Sequence, residues 1–420
     1  MFIRKYEDMP KVKLPHGQEV KISDSTIRDG SQMPGLVMTK KHRLKIYDYL
    51  HDLGIEKLEC FLFNQRDKDV AKVMLDKGYE FPEVTGWARA RKEDIDIVLQ
   101  MDGIKETGIL MSVSDVHIFD KLGLNSREEA EKKYLDALQY AVDHGLRTRC
   151  HLEDLTRADW PGFIRPFVKK IVEIDPDTII RICDTLGLGL PFPEADLPYS
   201  IPKTVQELKK LKVANIETHI HDDYGLGVAN SLAGYWYGAN WSNLTFLGIG
   251  ERAGNSELEK IMMFFITRVG GFEKYDPAKL TEFARYMEKE VRLHVPRNKA
   301  IVGENVFAHE SGIHTAGIIK CPFTYEPFPP EMVGGKRKLM VGDSSGREVI
   351  KQKVEEMAEK LMHVKIDVEK DDPRINKIYS DIHKLYDGGR RSAISDDEMK
   401  KYVEKYFLFE PVIDEVTAEE

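Results

Sequence analysis

The sequence has few cysteines, and none of them form a C-x-x-C pair. The four that are present lie far apart in the chain: Cys60, Cys150, Cys183 and Cys321. This pattern argues against a disulfide framework, because small disulfide-stabilised proteins carry many cysteines at short spacings. We therefore expect a reduced, cytoplasmic protein.

Long apolar segments are also missing. The first ten residues, M-F-I-R-K-Y-E-D-M-P, contain no apolar region of the kind found in a secretory signal peptide. No uninterrupted apolar run approaches the length that a membrane-spanning helix needs. A soluble protein without a membrane partner is expected.

Positive charge is not in excess either. The chain has 62 basic and 71 acidic residues, which gives a formal net charge of -9. This balance argues against nucleic acid as a partner, because nucleic-acid-binding proteins carry an excess of positive charge. An acidic substrate must therefore be attracted by local positive charge within a site.

The first 270 residues alternate between strand-like and helix-like segments. Eight strand–helix units in roughly 250 residues predict a (β/α)8 barrel. The alternative is an open doubly wound sheet, but no G-x-G-x-x-G follows the first strand. The predicted strands are residues 20–27, 57–63, 83–88, 107–113, 148–152, 178–183, 216–220 and 243–249. The predicted helices include residues 40–53, 71–77, 129–144, 163–173, 201–210, 228–238 and 257–268.

The pattern changes after residue 270. Residues 272–292 read as one polar helix, and a turn-rich segment and further charged helices follow, ending in an acidic tail at residues 415–420. We expect a catalytic barrel over residues 1–270, then a linker and a smaller, mainly helical subdomain over residues 271–420.

Polar clusters follow several predicted strands. In (β/α)8 barrels, catalytic groups lie at the carboxyl ends of the strands. The clusters follow strands one, five, six, seven and eight: Arg28-Asp29, Glu153-Asp154, Asp184-Thr185, His219 with His221, and residues 248–255. Strand alternation further predicts that Glu153, His151 and Arg149 all point inward.

Asp29, His219 and His221 predict a metal site. Two histidines two residues apart on a strand point to the same face, and neutral imidazole is a common transition-metal ligand. One carboxylate and two histidines leave positions open for water and substrate, as in catalytic sites. Taken alone, the histidines could equally be ordinary core or rim residues.

Four motifs together resemble a known family. D-S-T-I-R-D-G, H-I-H, G-E-R-A-G-N and F-A-H-E-S-G-I-H are similar to motifs of the 2-isopropylmalate synthase and homocitrate synthase group of metal-dependent acyltransferases. The resemblance extends from about residue 20 to beyond residue 350. It implies a Claisen-condensing barrel with a helical C-terminal subdomain. The segments S-Q-M-P-G, E-C-F-L-F-N and G-D-S-S-G most resemble the branch that forms citrate from acetyl-CoA and oxaloacetate.

The resemblance implies roles for the residues at the strand ends. Asp29, His219 and His221 would bind a divalent cation, Mn²⁺, Co²⁺ or Mg²⁺, with Asn255 as a further ligand. Arg28 would stabilise negative charge on the ketone or thioester oxygen, although a purely structural ion pair is the alternative.

The base implied by the resemblance is His314 of the subdomain, supported by Glu153. His309 competes with His314, and Glu153 could instead cap a helix. Thr185 would bind the carboxylate of the 2-oxo acid that lies near the metal. Arg149 is the candidate for the distal carboxylate, because guanidinium pairs with carboxylate through two hydrogen bonds.

Several alternatives remain open. Arg147 or Arg89 could take the place of Arg149, Cys183 is interpreted as a small buried hydrophobic residue, and residues 342–347 could bind CoA phosphates or form a plain turn. The acceptor could be 2-oxoglutarate, as in a homocitrate synthase. The protein could also be a metal-dependent acyl-CoA lyase or aldolase, or a non-catalytic binding protein.

The resemblance also implies an assembly. We expect a homodimer in which the subdomain of one chain completes the site of the other. The family members with a regulatory domain continue well past the subdomain, so feedback control of that kind is not expected here.

Overall fold

The computed structural model describes residues 3–408, with the side chains of residues 313 and 361 left out. The predicted acidic tail, residues 415–420, lies outside the described residues. The chain divides into two compact units. The barrel unit is Pro10–Val295, and the C-terminal unit comprises residues 3–9 and 296–408 of the described chain.

Eight parallel strands close into a barrel in sequence order, with the last strand pairing with the first. The predicted (β/α)8 barrel is therefore confirmed. The strands are β1 (Lys21–Asp24), β2 (Lys57–Cys60), β3 (Glu83–Arg89), β4 (Glu106–Ser112), β5 (Arg147–Glu153), β6 (Ile179–Asp184), β7 (Asn215–Ile220) and β8 (Trp241–Leu244).

Strand β8 differs from its prediction, since it begins and ends earlier than residues 243–249. A 3-10 turn, Phe246–Gly248, follows it, and Leu247 and Gly248 have φ values of 60° and 72°. Backbone with positive φ cannot continue a strand. The apolar run at this point therefore belongs to a buried turn, and the G-E-R-A-G-N segment follows that turn.

Helices follow each strand and surround the barrel. They are α1 (Lys40–Asp52), α2 (Gln65–Asp76), α3 (Lys92–Leu99), α4 (Arg127–Asp143), α5 (Arg165–Ile174), α6 (Ile201–Lys210), α7 (Gly227–Trp236) and α8 (Leu258–Arg268). Helix α6 has the predicted bounds because Ser200 caps it: the Lys203 N–H donates to Ser200 Oγ at 3.2 Å. Helix α3 is short and was not among the predicted helices.

The predicted helix over residues 272–292 is shorter in the structure. Helix α9 spans Leu280–Lys289, after a 3-10 turn in which Asp276 Oδ1 accepts from the Ala278 N–H. The buried Phe283 stacks on Phe246 at 3.7 Å between ring centroids and on Tyr49 at 4.6 Å. These contacts tie α9 to the barrel, so the barrel unit extends to Val295, past the predicted boundary at residue 270.

The C-terminal unit is mainly helical, as the sequence predicted. Its helices are α10 (Gly312–Lys320), α11 (Arg347–Met362), α12 (Pro373–Asp387) and α13 (Asp396–Val403), and its two short strands, β9 (Ala308–His309) and β10 (Lys338–Leu339), are parallel. Apolar side chains from the last three helices form its core: Val354, Met357, Ile378, Ile382 and Met399.

The G-D-S-S-G-R segment precedes helix α11. Its Gly342 N–H donates to Ser345 Oγ at 2.9 Å, and that hydroxyl donates to the Glu310 carbonyl at 3.1 Å. The segment is thus a turn held by its own serine. Among the described residues, no helix has the length and apolar character required to cross a membrane.

Candidate active site

A cavity of about 310 Å³ opens at the carboxyl ends of the barrel strands. Six predicted site residues line it: Arg28, Asp29, Glu153, Thr185, His219 and His221. Parallel strands end at the same rim of the barrel, which is why residues almost 200 positions apart in the sequence meet there.

Asp29, His219 and His221 form one compact group. Each residue offers a ligand atom, and these atoms all lie within 4.8 Å of one another. All three side chains are buried, and His219 Nε2 lies 3.8 Å from Asp29 Oδ2. This arrangement suits a divalent cation held by one carboxylate and two imidazoles.

His219 is oriented by Asn243 of strand β8. The His219 Nδ1–H donates to Asn243 Oδ1 at 2.8 Å, and the same oxygen accepts from the Ser25 hydroxyl at 2.8 Å. Burial lowers the pKa of His219 well below its ordinary value, so the imidazole is neutral. A neutral ring with Nδ1 protonated presents the Nε2 lone pair towards Asp29, as a metal ligand requires.

Two buried polar atoms next to Asp29 also fit a cation. Asn255 donates through Nδ2 to Asp29 Oδ2 at 2.7 Å, and its Oδ1 has no hydrogen-bond partner within the described chain. The same holds for His221 Nδ1. Buried polar atoms without partners are rare in proteins. Burial would raise the pKa of Asp29, but neighbouring groups, chiefly the charge of Arg28, outweigh it and hold that pKa at about 2.

Arg28 lies between two carboxylates at the cavity wall. Its Nε donates to Glu59 Oε1 at 2.7 Å, and its Nη1 donates to Asp29 Oδ1 at 3.0 Å. The structural ion pair considered for Arg28 is therefore present. The same guanidinium also lines the cavity, so an ion pair and a role in the site are compatible.

Thr185 offers a hydroxyl to the cavity from just beyond strand β6. Its Oγ1 accepts from the Asp154 N–H at 2.9 Å, which leaves the hydroxyl hydrogen for donation to a ligand. Cys183 lies one layer lower and also lines the cavity. Burial raises the pKa of the Cys183 thiol, so this thiol stays protonated and unreactive, as interpreted from the sequence.

Glu153 is held at the rim by the segment after strand β4. Its carboxylate accepts from the Ser112 hydroxyl, from His117 Nδ1 at 3.1 Å and from Lys121 Nζ at 2.7 Å. Burial would raise the pKa of Glu153, but these three hydrogen bonds and the charge of Lys121 lower it to about 2. The side chain is an ionised acceptor facing the cavity, so these contacts favour a role in the site over the helix-capping alternative.

Arg149 does not reach the cavity, which corrects its assignment to the distal carboxylate. Its side chain is fully buried, with Nη2 3.1 Å from Glu106 Oε1 and Nε 3.1 Å from Glu217 Oε2. It points inward like Glu153 but lies four residues earlier on β5, roughly 13 Å away along the strand and therefore deeper in the barrel. The two alternatives, Arg147 and Arg89, pair with Glu83 and Asp94 outside the cavity.

The position of Arg149 leads to a stability prediction. Arg149→Met leaves the buried carboxylates of Glu106 and Glu217 without this partner, and we expect a loss of about 3 kcal/mol in the free energy of unfolding. Denaturant unfolding measures the change. Arg147→Met makes the same substitution on a half-exposed side chain of the same strand, and we expect it to stay within about 0.5 kcal/mol of wild type. Equal losses in the two variants would contradict this assignment.

Four residues at or beneath the cavity were not among the predicted site residues. Lys121, His151 and Arg181 line it, and Glu59 lies beneath them, bound to Arg28 and Arg181. The sequence signal was a charged residue inside an otherwise apolar strand, as in I-I-R-I-C-D of β6. A charge is rarely buried in a strand unless it is paired.

His314 and His309 belong to the C-terminal unit, on α10 and β9. His309 Nε2 lies 3.3 Å from Glu326 Oε1, and Arg337 donates to both oxygens of Glu326 at 2.7 and 2.6 Å. His314 is exposed, with its ring 4.3 Å from that of Tyr325. His309 is thus engaged in an ion-pair cluster, which favours His314 over it as the base.

Comparison with known proteins places the chain in a family. The HMGL-like family model matches residues 19–287. The chain belongs to this family. A second model, described as homocitrate synthase post-HMGL domain-like, matches residues 301–389.

Two relatives show which members of the family it resembles. A citrate (Re)-synthase from Clostridium kluyveri is 38% identical over 95% of this chain and 92% of its own length. The homocitrate synthase AksA from Methanothermobacter thermautotrophicus is 35% identical over 84% of this chain and 88% of its own. The predicted resemblance to the 2-isopropylmalate and homocitrate synthase group is confirmed.

A solved structure shares the barrel fold. The HMG-CoA lyase from Bacillus subtilis superposes with a TM-score of 0.54 and 20% identity, over 68% of this chain and 97% of its own. This likeness concerns the fold alone. The superposition leaves about a third of this chain unmatched. The second family model, by contrast, covers residues 301–389 of the C-terminal unit.

Proposed function

We propose that the protein is a citrate synthase of the Re type, which condenses acetyl-CoA with oxaloacetate and hydrolyses the thioester to release citrate and CoA. The observation that carries the proposal is the group Asp29, His219 and His221 beside the carboxylate-binding and charge-stabilising side chains of one cavity. The 38% identity to a citrate (Re)-synthase over most of both chains supports this choice within the family.

Asp29, His219 and His221 would hold the divalent cation, with Asn255 Oδ1 as a further ligand. A bound divalent cation supplies a Lewis acid that polarises the ketone of the 2-oxo acid and orients it. The chain's own contribution is to keep both imidazoles neutral and Asp29 ionised, as the directions of their pKa shifts indicate.

Arg28 and Thr185 act on the acceptor. The Arg28 guanidinium, fixed by Glu59, stabilises the negative charge that develops on the oxygen of the reacting carbonyl. The Thr185 hydroxyl donates to the carboxylate next to the ketone. Its oxygen already accepts from the Asp154 N–H, and its hydrogen is available for the substrate. Both side chains are held by neighbours before substrate binds, which lowers the cost of ordering them.

His314 takes the proton from the methyl group of acetyl-CoA. The resulting carbon nucleophile forms the new C–C bond to the ketone carbon while the ketone π bond breaks, and the ketone oxygen takes up a proton to become a hydroxyl group. Water then hydrolyses the thioester, and CoA leaves as the thiol. Glu153, an ionised acceptor at the rim, supports the imidazole. We further propose that His314 is supplied by the second chain of a homodimer, as the family resemblance implies.

The acceptor is tested by comparing kcat/KM for oxaloacetate, 2-oxoglutarate and 2-oxoisovalerate in an assay of CoA thiol release. We expect kcat/KM for oxaloacetate to exceed the other two values by at least about 10-fold, because 2-oxoglutarate has an extra methylene and 2-oxoisovalerate lacks the distal carboxylate. Protein treated with a chelator is the blank. A preference for 2-oxoglutarate would make the protein a homocitrate synthase, and a preference for 2-oxoisovalerate would make it a 2-isopropylmalate synthase.

A further inference from the structure

The interior of the barrel beneath the cavity contains a series of alternating charges. Each member pairs with the next, from the cavity downward: Arg28, Glu59, Arg181, Glu217, Arg149, Glu106 and Lys57. Glu59 contacts two arginines of the series, Arg28 at 2.6 Å and Arg181 at 3.0 Å. All seven side chains are buried.

The series holds four cations and three carboxylates, and two further carboxylates lie beside its ends: Asp29 is 3.0 Å from Arg28, and Glu83 is 3.9 Å from Lys57. Burial would raise the pKa of Glu59 and of Glu217, but the neighbouring guanidinium groups outweigh it and keep both carboxylates ionised. Asp29 adds a negative charge at the top, but this carboxylate is committed to the cation site. A buried charge is costly unless it is paired, so a cation of the series that keeps an unpartnered donor is the place where an anion would bind.

Arg181 lines the cavity and has an unpartnered donor nitrogen. Its Nη1 lies 3.0 Å from Glu59 Oε2, and its Nε donates to Glu217. Its Nη2 is buried and has no hydrogen-bond partner in the described part of the chain, although the residue lines the cavity. A guanidinium has five N–H donors in a planar fork, so the remaining ones suit a carboxylate.

The depth of Arg181 fits the far end of a small acceptor. In the pairing of β6 with β7, Cys183 lies beside His219 and Arg181 lies beside Glu217. Arg181 is therefore one layer, about 6.6 Å, below the level of the metal ligand. His151 is its neighbour on the other side, and His151 Nε2 lies 3.4 Å from Glu59 Oε2 but makes no hydrogen bond among the described residues.

We propose that Arg181, assisted by His151, binds the distal carboxylate of the acceptor and selects 2-oxo diacids over 2-oxo acids with an uncharged tail. The inference rests on the proposed function and identifies the residue that sets its acceptor specificity. The remaining cavity cation of comparable reach is Lys121, but Glu153 holds it with both carboxylate oxygens at the rim.

The test compares oxaloacetate with 2-oxobutyrate, in which a methyl group replaces the distal carboxylate. In Arg181→Lys, which keeps the buried charge but loses the fork, we expect the ratio of kcat/KM for oxaloacetate to that for 2-oxobutyrate to fall at least about 30-fold. The change should come mainly from a higher KM for oxaloacetate. Where turnover of 2-oxobutyrate is too slow, dissociation constants from calorimetry replace kcat/KM. If Arg181 had only a structural role, the substitution would lower kcat/KM for both acceptors by the same factor.

Lys121→Met is the matched variant, since it removes the other cation from the cavity wall. We expect it to keep the wild-type acceptor ratio. If Arg181→Lys does not fold, Lys121→Met still decides. A lost ratio assigns the distal carboxylate to Lys121 and overturns the proposal. A retained ratio excludes Lys121 and leaves Arg181, since the other cavity guanidinium, Arg28, is held by Glu59 and Asp29.

The two proposals fail in different ways. A wild-type protein that prefers 2-oxoisovalerate or 2-oxobutyrate to oxaloacetate overturns the proposed function itself. A wild-type protein that prefers oxaloacetate, together with a folded Arg181→Lys that keeps the same ratio, overturns the assignment of Arg181 alone.

Discussion

His219→Ala protein is expected to be folded, to lack a bound divalent cation and to lose about 1,000-fold in kcat/KM. His219 supplies one of three ligand atoms that lie within 4.8 Å of one another, and the remaining pair cannot complete the site. The fold should survive, because His219 lies at the cavity next to the end of its strand and the apolar packing between strands and helices is left intact.

Metal content after gel filtration and the thermal unfolding midpoint measure the two halves of this prediction. His144→Ala is the matched control, since His144 is exposed and lies at the end of α4, away from the cavity. We expect it to keep both cation and activity. Full activity in wild-type protein that has been stripped with a chelator and dialysed would contradict a metal-dependent mechanism.

His314→Ala is expected to keep the cation and to lose about 100- to 10,000-fold in kcat, the range for removing a general base. The side chain is exposed, so its removal should leave the stability of the C-terminal unit nearly unchanged. His309→Ala serves as the comparison. It should reduce stability, because it breaks the contact with buried Glu326, while the base remains. The opposite outcome, with His309→Ala inactive and His314→Ala active, would exchange the two roles.

The same variant tests whether the site is shared between two chains. Mixing inactive His314→Ala with inactive His219→Ala should restore about a quarter of wild-type activity. Under random exchange, half of the dimers are mixed, and each mixed dimer has one site with both wild-type histidines. Absence of recovery, with subunit exchange demonstrated by mass spectrometry, would place His314 in the site of its own chain.

The barrel and its metal-ligand group could be predicted because both depend on local patterns. Alternation of apolar segments with helical segments located all eight strands, although β8 is shifted. His219 and His221 could be assigned to one face because side chains two residues apart on a strand point the same way. Asp29 joined them through the rule that parallel strands end at one rim.

The errors arose where depth or tertiary packing decides the outcome. Arg149 has the right orientation on its strand, but the sequence does not show how far below the rim a side chain lies. The helix over residues 272–292 was predicted too long because the residues before Leu280 pack on the barrel without being helical. Tyr275 is buried and its hydroxyl donates to Glu56 at 3.0 Å, and a 3-10 turn capped by Asp276 precedes the helix. In β8, an apolar segment was read as strand although Leu247 adopts positive φ in a buried turn.

The sequence by itself determined the eight-stranded barrel, the family and the three residues of the candidate metal site, because each depends on periodicity or on short motifs whose geometry is local. Only the tertiary structure decided which cation reaches the cavity. Arg149 and Arg181 are both buried arginines that lie between two glutamates and keep unpartnered donors, but Arg181 lines the cavity and Arg149 lies beneath it. That difference depends on the depth and the pairing of residues on four separate strands, which no local pattern records.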